Sequence, residues 1–269
     1  MTKFRIAHTG ITWGYNAKAA EESVRDVAEL GYQACEFIGG IIEQYDQENS
    51  DGFDALLGRY GIPLAAVYCN TVFTEPTQAQ DNVRDVMRQA KRAQELGATV
   101  LVIQGGGRQA ESYTQWRGMA DVFNDIGRQA ADMGMIHPHT GTLIETRAEI
   151  DAILDAVDPS LVFFAPDTGQ IAKAGDDPVA ALQTYKSITR HVHLKDYGGG
   201  KDTGYAGYVP VGSGVVDMPA LFQILEEANF NGWVAVELDG TSETPRPPRE
   251  AAAMSKRYLE NLLGDRAEW

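Results

Sequence analysis

The sequence predicts an α/β fold, a (β/α)8 TIM barrel built as a single domain over residues 1–269. Three observations predict it. Short apolar runs alternate with stretches of helical spacing, the alternation recurs eight times, and the chain length suits one closed barrel. Parallel neighbours need crossover helices, so strict alternation implies a parallel sheet. An open doubly wound sheet is the runner-up, but "QGGGRQ" at 104–109 lacks both the G-x-G-x-x-G and the Walker spacing.

The strand runs are "FRIAH" (4–8), "QACEFI" (33–38), "IPLAAVY" (62–68), "TVLVIQ" (99–104), "GMIHPH" (134–139), "LVFFA" (161–165), "RHVHL" (190–194) and "GWVAVE" (232–237). Among the intervening stretches, "AEESVRDVAEL" places Val24, Val27 and Leu30 on one helical face. "NVRDVMRQAKRAQELG" does the same with Val83, Val86, Met87, Ala90 and Leu96 before a terminating glycine. "TRAEIDAILDAV" opens with Thr146 and has Glu149 three residues on, the spacing of a capping box. "MPALFQILEEANF" and "REAAAMSKRYLENLLG" complete the series, and "DGTSETPRPPRE" (239–250) reads as the last strand-to-helix loop.

Composition narrows the function. A formal net charge of -15 argues against non-specific nucleic-acid binding, which needs Lys and Arg to neutralise phosphates. A hydrophobic fraction of 43% suits a soluble globular core. No apolar run reaches the ~18 residues of a membrane span. The start "MTKFRIAHTG" lacks a secretory apolar region, so a cytoplasmic location is expected. Cys35 and Cys69 lack metal-ligand spacing and read as reduced, buried thiols.

In such barrels, chemistry gathers at the C-terminal ends of the strands. Here the first strand ends at His8 with Trp13 beyond, the second holds Glu36, and the fourth ends at Gln104. The fifth ends with His137 and His139, and the sixth runs into Asp167. The seventh carries His191 and His193, then Lys195 and Asp196; the eighth ends at Glu237 with Asp239 beyond. Strand residues two apart share a face, so each His-x-His pair is expected to project together while Ile136 and Val192 face the helices. Taken singly, Glu36 or Asp239 reads as a cap or salt-bridge group, and His8 as a hydrogen-bonded core residue. Taken together, unpaired charges at one rim would cost several kcal/mol each without partners or a metal. Imidazole with carboxylate suits Mn, Co, Fe or Zn rather than Ca.

The segments "HPHTGTLIET", "PDTGQ…AGDDP", "HVHLKD", "VPVGSGVVDMPAL" and "GWVAVELDG" resemble, in order and spacing, the xylose-isomerase-like TIM-barrel superfamily of sugar isomerases, epimerases and dehydratases. The nearest group is the inosose (2-keto-myo-inositol) dehydratases, with the resemblance densest over residues 134–240. It implies one divalent metal, Mn or Co first and Zn, Fe or Mg as alternatives, held by Asp167, His193, Glu237 and a strand-five ligand. The place of that ligand falls at His137, and Glu145, in the loop just before Thr146, is its rival. Gln170 stands where the dehydratase group usually has His, and Trp13 is followed by "GYN" rather than Asn-Asp.

The implied reaction is dehydration of a keto-cyclitol or keto-sugar, by proton abstraction next to a metal-bound carbonyl. His139 is the first choice of base and Glu237 the second. Lys195 either orients or protonates an oxygen, or simply pairs with Asp196. Trp13, Glu36, Gln104, Glu145 and Gln170 would contact substrate. Isomerisation or epimerisation of a ketose at the same metal site is the alternative. Less favoured are an endonuclease-IV-like phosphodiesterase and a non-catalytic sugar-binding barrel. The expected partner is a small keto-sugar or keto-cyclitol, with no nucleic acid or membrane, and a homo-oligomer is left open.

Overall fold

The computed structural model describes residues 3–69, 79–107, 113–130, 134–137, 139, 141–200, 206–239 and 246–269; the side chains of 113–116 and 134–137 lie outside that description. Its strands are β1 (Phe4–Thr9), β2 (Ala34–Ile38), β3 (Leu64–Cys69), β4 (Val100–Gln104), β5 (Gly134–His137), β6 (Phe163–Phe164), β7 (His191–Leu194), β8 (Asp196–Tyr197), β9 (Tyr208–Val209), β10 (Trp233–Val236) and β11 (Ala267–Glu268). Eight of them form one hydrogen-bonded path in the order β6-β5-β4-β3-β2-β1-β10-β7. Parallel bridges from Phe164 to Thr189 and from Asp167 to His193 join its two ends, closing the barrel. The antiparallel pair β8–β9 stands apart from it, and β11 pairs with the base of β1.

Local sequence sets the helix boundaries. The helix Ala17–Leu30 begins where the Asn16 side chain accepts the Ala19 N–H and ends at Gly31, whose φ of 81° is left-handed. The capping box expected at Thr146 and Glu149 is present and starts the helix Arg147–Ala156. Asp167 caps the short helix Thr168–Lys173 through two backbone N–H groups.

Two-residue alternation sorts the barrel strands with described side chains into an inward and an outward face. Outward, Ile6, Cys35, Phe37, Val67, Leu101, Ile103, Phe164, Val192, Val234 and Val236 join the main core under the helices. Inward, Ala7, Ala34, Ala66, Val100, Val102, Phe163, Ala165 and Ala235 fill the lumen. Small inward residues suit a closed barrel, whose opposing walls are near one another. Continuing each inward register towards the C-terminal rim gives Thr9, Glu36, Tyr68, Gln104, Asp167, His193 and Glu237. The fold therefore delivers the functional groups to one layer.

The same alternation makes His8 the hydrogen-bonded core residue it reads as when taken singly, its Nδ1 2.9 Å from the Thr9 carbonyl oxygen, and one expectation at the fifth strand is corrected. His8 shares the outward register of Ile6 and packs edge-on against Trp13 and Tyr32, ring centroids 5.2 and 4.9 Å away. The fifth strand stops at His137, short of His139. A proline at 138 has no N–H to donate to a ladder, and the His139 N–H instead donates to the Ile144 carbonyl at 2.7 Å. His139 is therefore presented by the loop that follows the strand.

Gly232 shows how tightly β7 and β10 meet at the barrel's base. A Cβ there would fall 2.0 Å from the Arg190 carbonyl oxygen, a backbone atom that cannot swing aside. Gly232→Ala is expected to lower the free energy of unfolding by about 1–3 kcal/mol, read as a reduced urea midpoint with an unchanged slope.

Candidate metal centre and active site

Glu237 leaves β10 with its backbone N–H on the Leu194 carbonyl, which aligns it beside β7. Its Oε2 lies 2.6 Å from His193 Nδ1 and its Oε1 2.7 Å from Lys195 Nζ. Lys195 Nζ also lies 3.0 Å from Asp167 Oδ2 and 3.0 Å from Asp239 Oδ2. On the other side of the His193 ring, Nε2 is 2.8 Å from Glu36 Oε1, and Glu36 Oε2 is 2.9 Å from His191 Nε2. All of these side chains are at most 3% exposed.

Burial and charge work against one another here. Burial pulls the Lys195 ammonium down, but Asp167, Asp239 and Glu237 outweigh it and hold its pKa well above the ordinary value. Burial likewise opposes a charged His193, yet Glu36 and Glu237 raise its pKa well above 6.5. Glu36, which burial would push up, is held at about 2 by the two histidines. Asp167 goes the other way: burial pushes it up to about 6 against the pull of Lys195. For His191 burial prevails and its pKa falls. His8, buried on the outward face, is brought down to about 4 by burial.

Ligand atoms of Asp167, His193 and Glu237 all lie within 4.8 Å of one another. Two carboxylates and an imidazole, all buried, form a donor set that fits a divalent ion of the Mn, Co, Fe or Zn kind. Among the described residues a second group, Glu36 with His191 and His193, meets the same distance criterion. Its carboxylate oxygens already sit at hydrogen-bond length from the ring nitrogens.

A cavity of about 160 Å³ opens over this centre, walled by Glu36, His193, Glu237 and Asp239 and, from the loops and strand ends, by Tyr15, Tyr68, Gln104 and His139. The remaining expected substrate contacts are placed elsewhere. The Trp13 indole N–H donates to Asp26 Oδ2 at 2.9 Å. The Gln170 Oε1 accepts from the Tyr208 hydroxyl at 2.5 Å. Glu145 accepts the Gly141 N–H at 3.1 Å within the turn after β5. The His137 side chain lies outside the described residues. Lys195 does not pair with Asp196, whose carboxylate instead accepts the N–H groups of Tyr197, Gly212, Gly214 and Val216. Asp196 thereby pins the 212–216 turn, while Lys195 serves the carboxylates of the rim.

Sequence reading passed over Tyr68, although the inward register of "LAAVYC" ends on it. It also passed over Tyr15, and over Tyr208, whose ring lies 4.8 Å from Lys195 Nζ. Nothing in the local pattern at 208 marks that contact, because it arises from β9 folding back on β8.

The family model of the xylose isomerase-like TIM barrel matches residues 24–262. An inosose dehydratase of Geobacillus kaustophilus is 27% identical, over 97% of this chain and 95% of its own. Another inosose dehydratase, of Geobacillus thermodenitrificans, is 28% identical over 91% of this chain and 90% of its own. Among solved structures, a probable 3-DHS dehydratase from Bacillus anthracis superposes with a TM-score of 0.77 at 16% identity, covering 96% of this chain and 99% of that one. Its likeness is one of fold.

The raised pKa of His193 makes a pH prediction. Any stability it contributes is present below the ordinary value of 6.5 and is lost as pH rises through the folded value. In metal-free protein at pH 7, both ring nitrogens of His193 should give protonated 15N shifts, where an ordinary histidine would be mostly neutral. Titration of that ring near 6.5 would contradict the geometry.

Proposed function

The chain belongs to the xylose isomerase-like TIM barrel family, and from that premise we propose that it is a divalent-metal-dependent dehydratase of a keto-cyclitol or keto-sugar. The observation that carries the reading is the convergence of Asp167, His193 and Glu237 beneath a cavity sized for a small polyol. Its full-length relatives named inosose dehydratase supply the substrate class. Mn or Co is the first expectation for the ion, which when bound supplies Lewis-acid polarisation of a carbonyl and a neighbouring hydroxyl.

The chain's own residues divide the remaining work. His139 stands on the cavity wall and takes the proton from the carbon next to the carbonyl. Glu237 is the weaker choice, since His193 holds one of its oxygens and Lys195 the other. Gln104 and Tyr68 offer hydrogen-bonding groups to substrate hydroxyls. The β-hydroxyl leaves as water and needs a proton. Lys195, 3.0 Å from the cavity-lining Asp239, is the proton-bearing group on that side.

One observation favours epimerisation or isomerisation as the second reading. The Lys195 ammonium is fully buried behind Asp239. A reaction that only returns a proton to carbon would not need it to reach the substrate.

The reading is tested by incubating metal-loaded protein in deuterated water with inososes, ketohexoses and 3-keto-glucosides. Deuterium uptake next to the carbonyl with loss of water from an inosose is the expected result. Uptake without water loss would select the epimerase or isomerase. No exchange with any of them, despite bound metal, would leave a binding barrel. Asp167→Asn and Glu237→Gln are each expected to weaken metal binding and lower kcat/KM together, by more than ~100-fold. Full turnover with retained metal in either variant would overturn the site assignment.

A further inference from the structure

We propose that Glu36 is a positioning residue whose carboxylate clamps His193 and His191 by their Nε2–H groups, so that His193 presents Nδ1 to the ion bound with Asp167 and Glu237. The inference rests on the metal reading above and assigns Glu36 a role other than substrate contact.

The geometry leads there directly. Glu36 spends one oxygen on each ring, 2.8 Å to His193 and 2.9 Å to His191, with all three side chains at most 2% exposed. An ionised carboxylate only accepts hydrogen bonds, so each of these contacts requires a proton on Nε2. For His193 that leaves Nδ1 as the nitrogen able to become a lone-pair donor, and Nδ1 is the atom facing Glu237 at 2.6 Å. Metal-bound histidines commonly donate their other ring N–H to a carboxylate, which fixes both the tautomer and the ring plane.

His191 explains why the clamp has two arms. It lies one inward position deeper on β7 than His193 and holds the second Glu36 oxygen. With only one donor, Glu36 could rotate towards the cavity that it also lines. The His191 Nδ1 is buried and has no hydrogen-bond partner among the described residues. The Glu36 contact is thus the bond that fixes this ring.

Glu36→Gln separates shape from chemistry. The amide keeps the size but can accept from only one ring and must donate to the other, so one of the two histidines loses its partner or changes tautomer. The test measures Co²⁺ affinity by chelator competition, together with the visible spectrum of the Co²⁺ protein, neither of which needs turnover. A dissociation constant raised ~10–100-fold with an altered spectrum is expected. His191→Asn should give a change in the same direction but smaller. An unchanged constant and spectrum in a folded Glu36→Gln protein would overturn the proposal.

The 15N shifts of the unsubstituted protein provide a measurement that survives misfolding of the variant. Metal-free protein should show protonated Nε2 on both His191 and His193, and either nitrogen found without its proton overturns the clamp. Zn²⁺-loaded protein should show His193 coordinated through Nδ1, and coordination through Nε2 would equally overturn it. Failure of the unsubstituted protein to bind any divalent ion would sink the metal reading instead. The clamp would then be decided by the metal-free shifts alone.

Discussion

The Lys195 ammonium, surrounded by Asp167, Glu237 and Asp239, is the interaction on which the rest of this rim depends. Three carboxylates cannot share a dry layer of a barrel without a cation among them, because each desolvated charge costs several kcal/mol when unpaired. Lys195 reaches that position because the inward register of β7 continues past Leu194, through His191 and His193 to residue 195. Close packing then fixes its stem. A Cβ on Gly169 would come within 2.6 Å of Lys195 Cγ, so glycine at 169 lets the cap of the following helix lie directly on the lysine. Asp167, which caps that helix with Oδ1, turns Oδ2 towards the ammonium. One aspartate thus ties together a helix start, the barrel seam and the charge cluster.

Much of this was legible in the sequence, and for one reason. A closed parallel barrel is periodic, so a strand's last inward residue can be named once the strand is found. Glu36, Gln104, Asp167, His193 and Glu237 were all reached that way, and each belongs to the same layer of the structure. The capping box at Thr146 was equally readable, since it is a purely local arrangement.

Where sequence reading failed, the cause was non-local. Trp13 looked like a substrate platform, yet Asp26, fixed by Arg25 and Arg249, offers its indole a buried acceptor. Lys195 beside Asp196 suggested a pair of chain neighbours. Adjacent strand residues point to opposite faces, however, and Asp196 turns away to hold the 212–216 turn while Lys195 turns in. Glu36 was readable as an inward acid, but its engagement with both histidines of a strand 155 residues distant was not.

The charge balance of the cluster bears on the ion proposed for it. Glu36, Asp167, Glu237 and Asp239 are four carboxylates, facing one ammonium on Lys195 and one protonated ring on His193. Counted in full, two negative charges are unbalanced. Burial pushes the Asp167 carboxyl up to about 6, and Glu237 adds to the rise, although Lys195 lies 3.0 Å away. A divalent cation among Asp167, His193 and Glu237, taking the place of the proton on His193 Nδ1, would cut the excess from two negative charges to one. A monovalent ion in the same place would leave the excess at two. Within the low-dielectric wall of a barrel that difference is amplified. The surplus of acid around Lys195 is therefore one that a doubly charged ion would relieve more than a singly charged one.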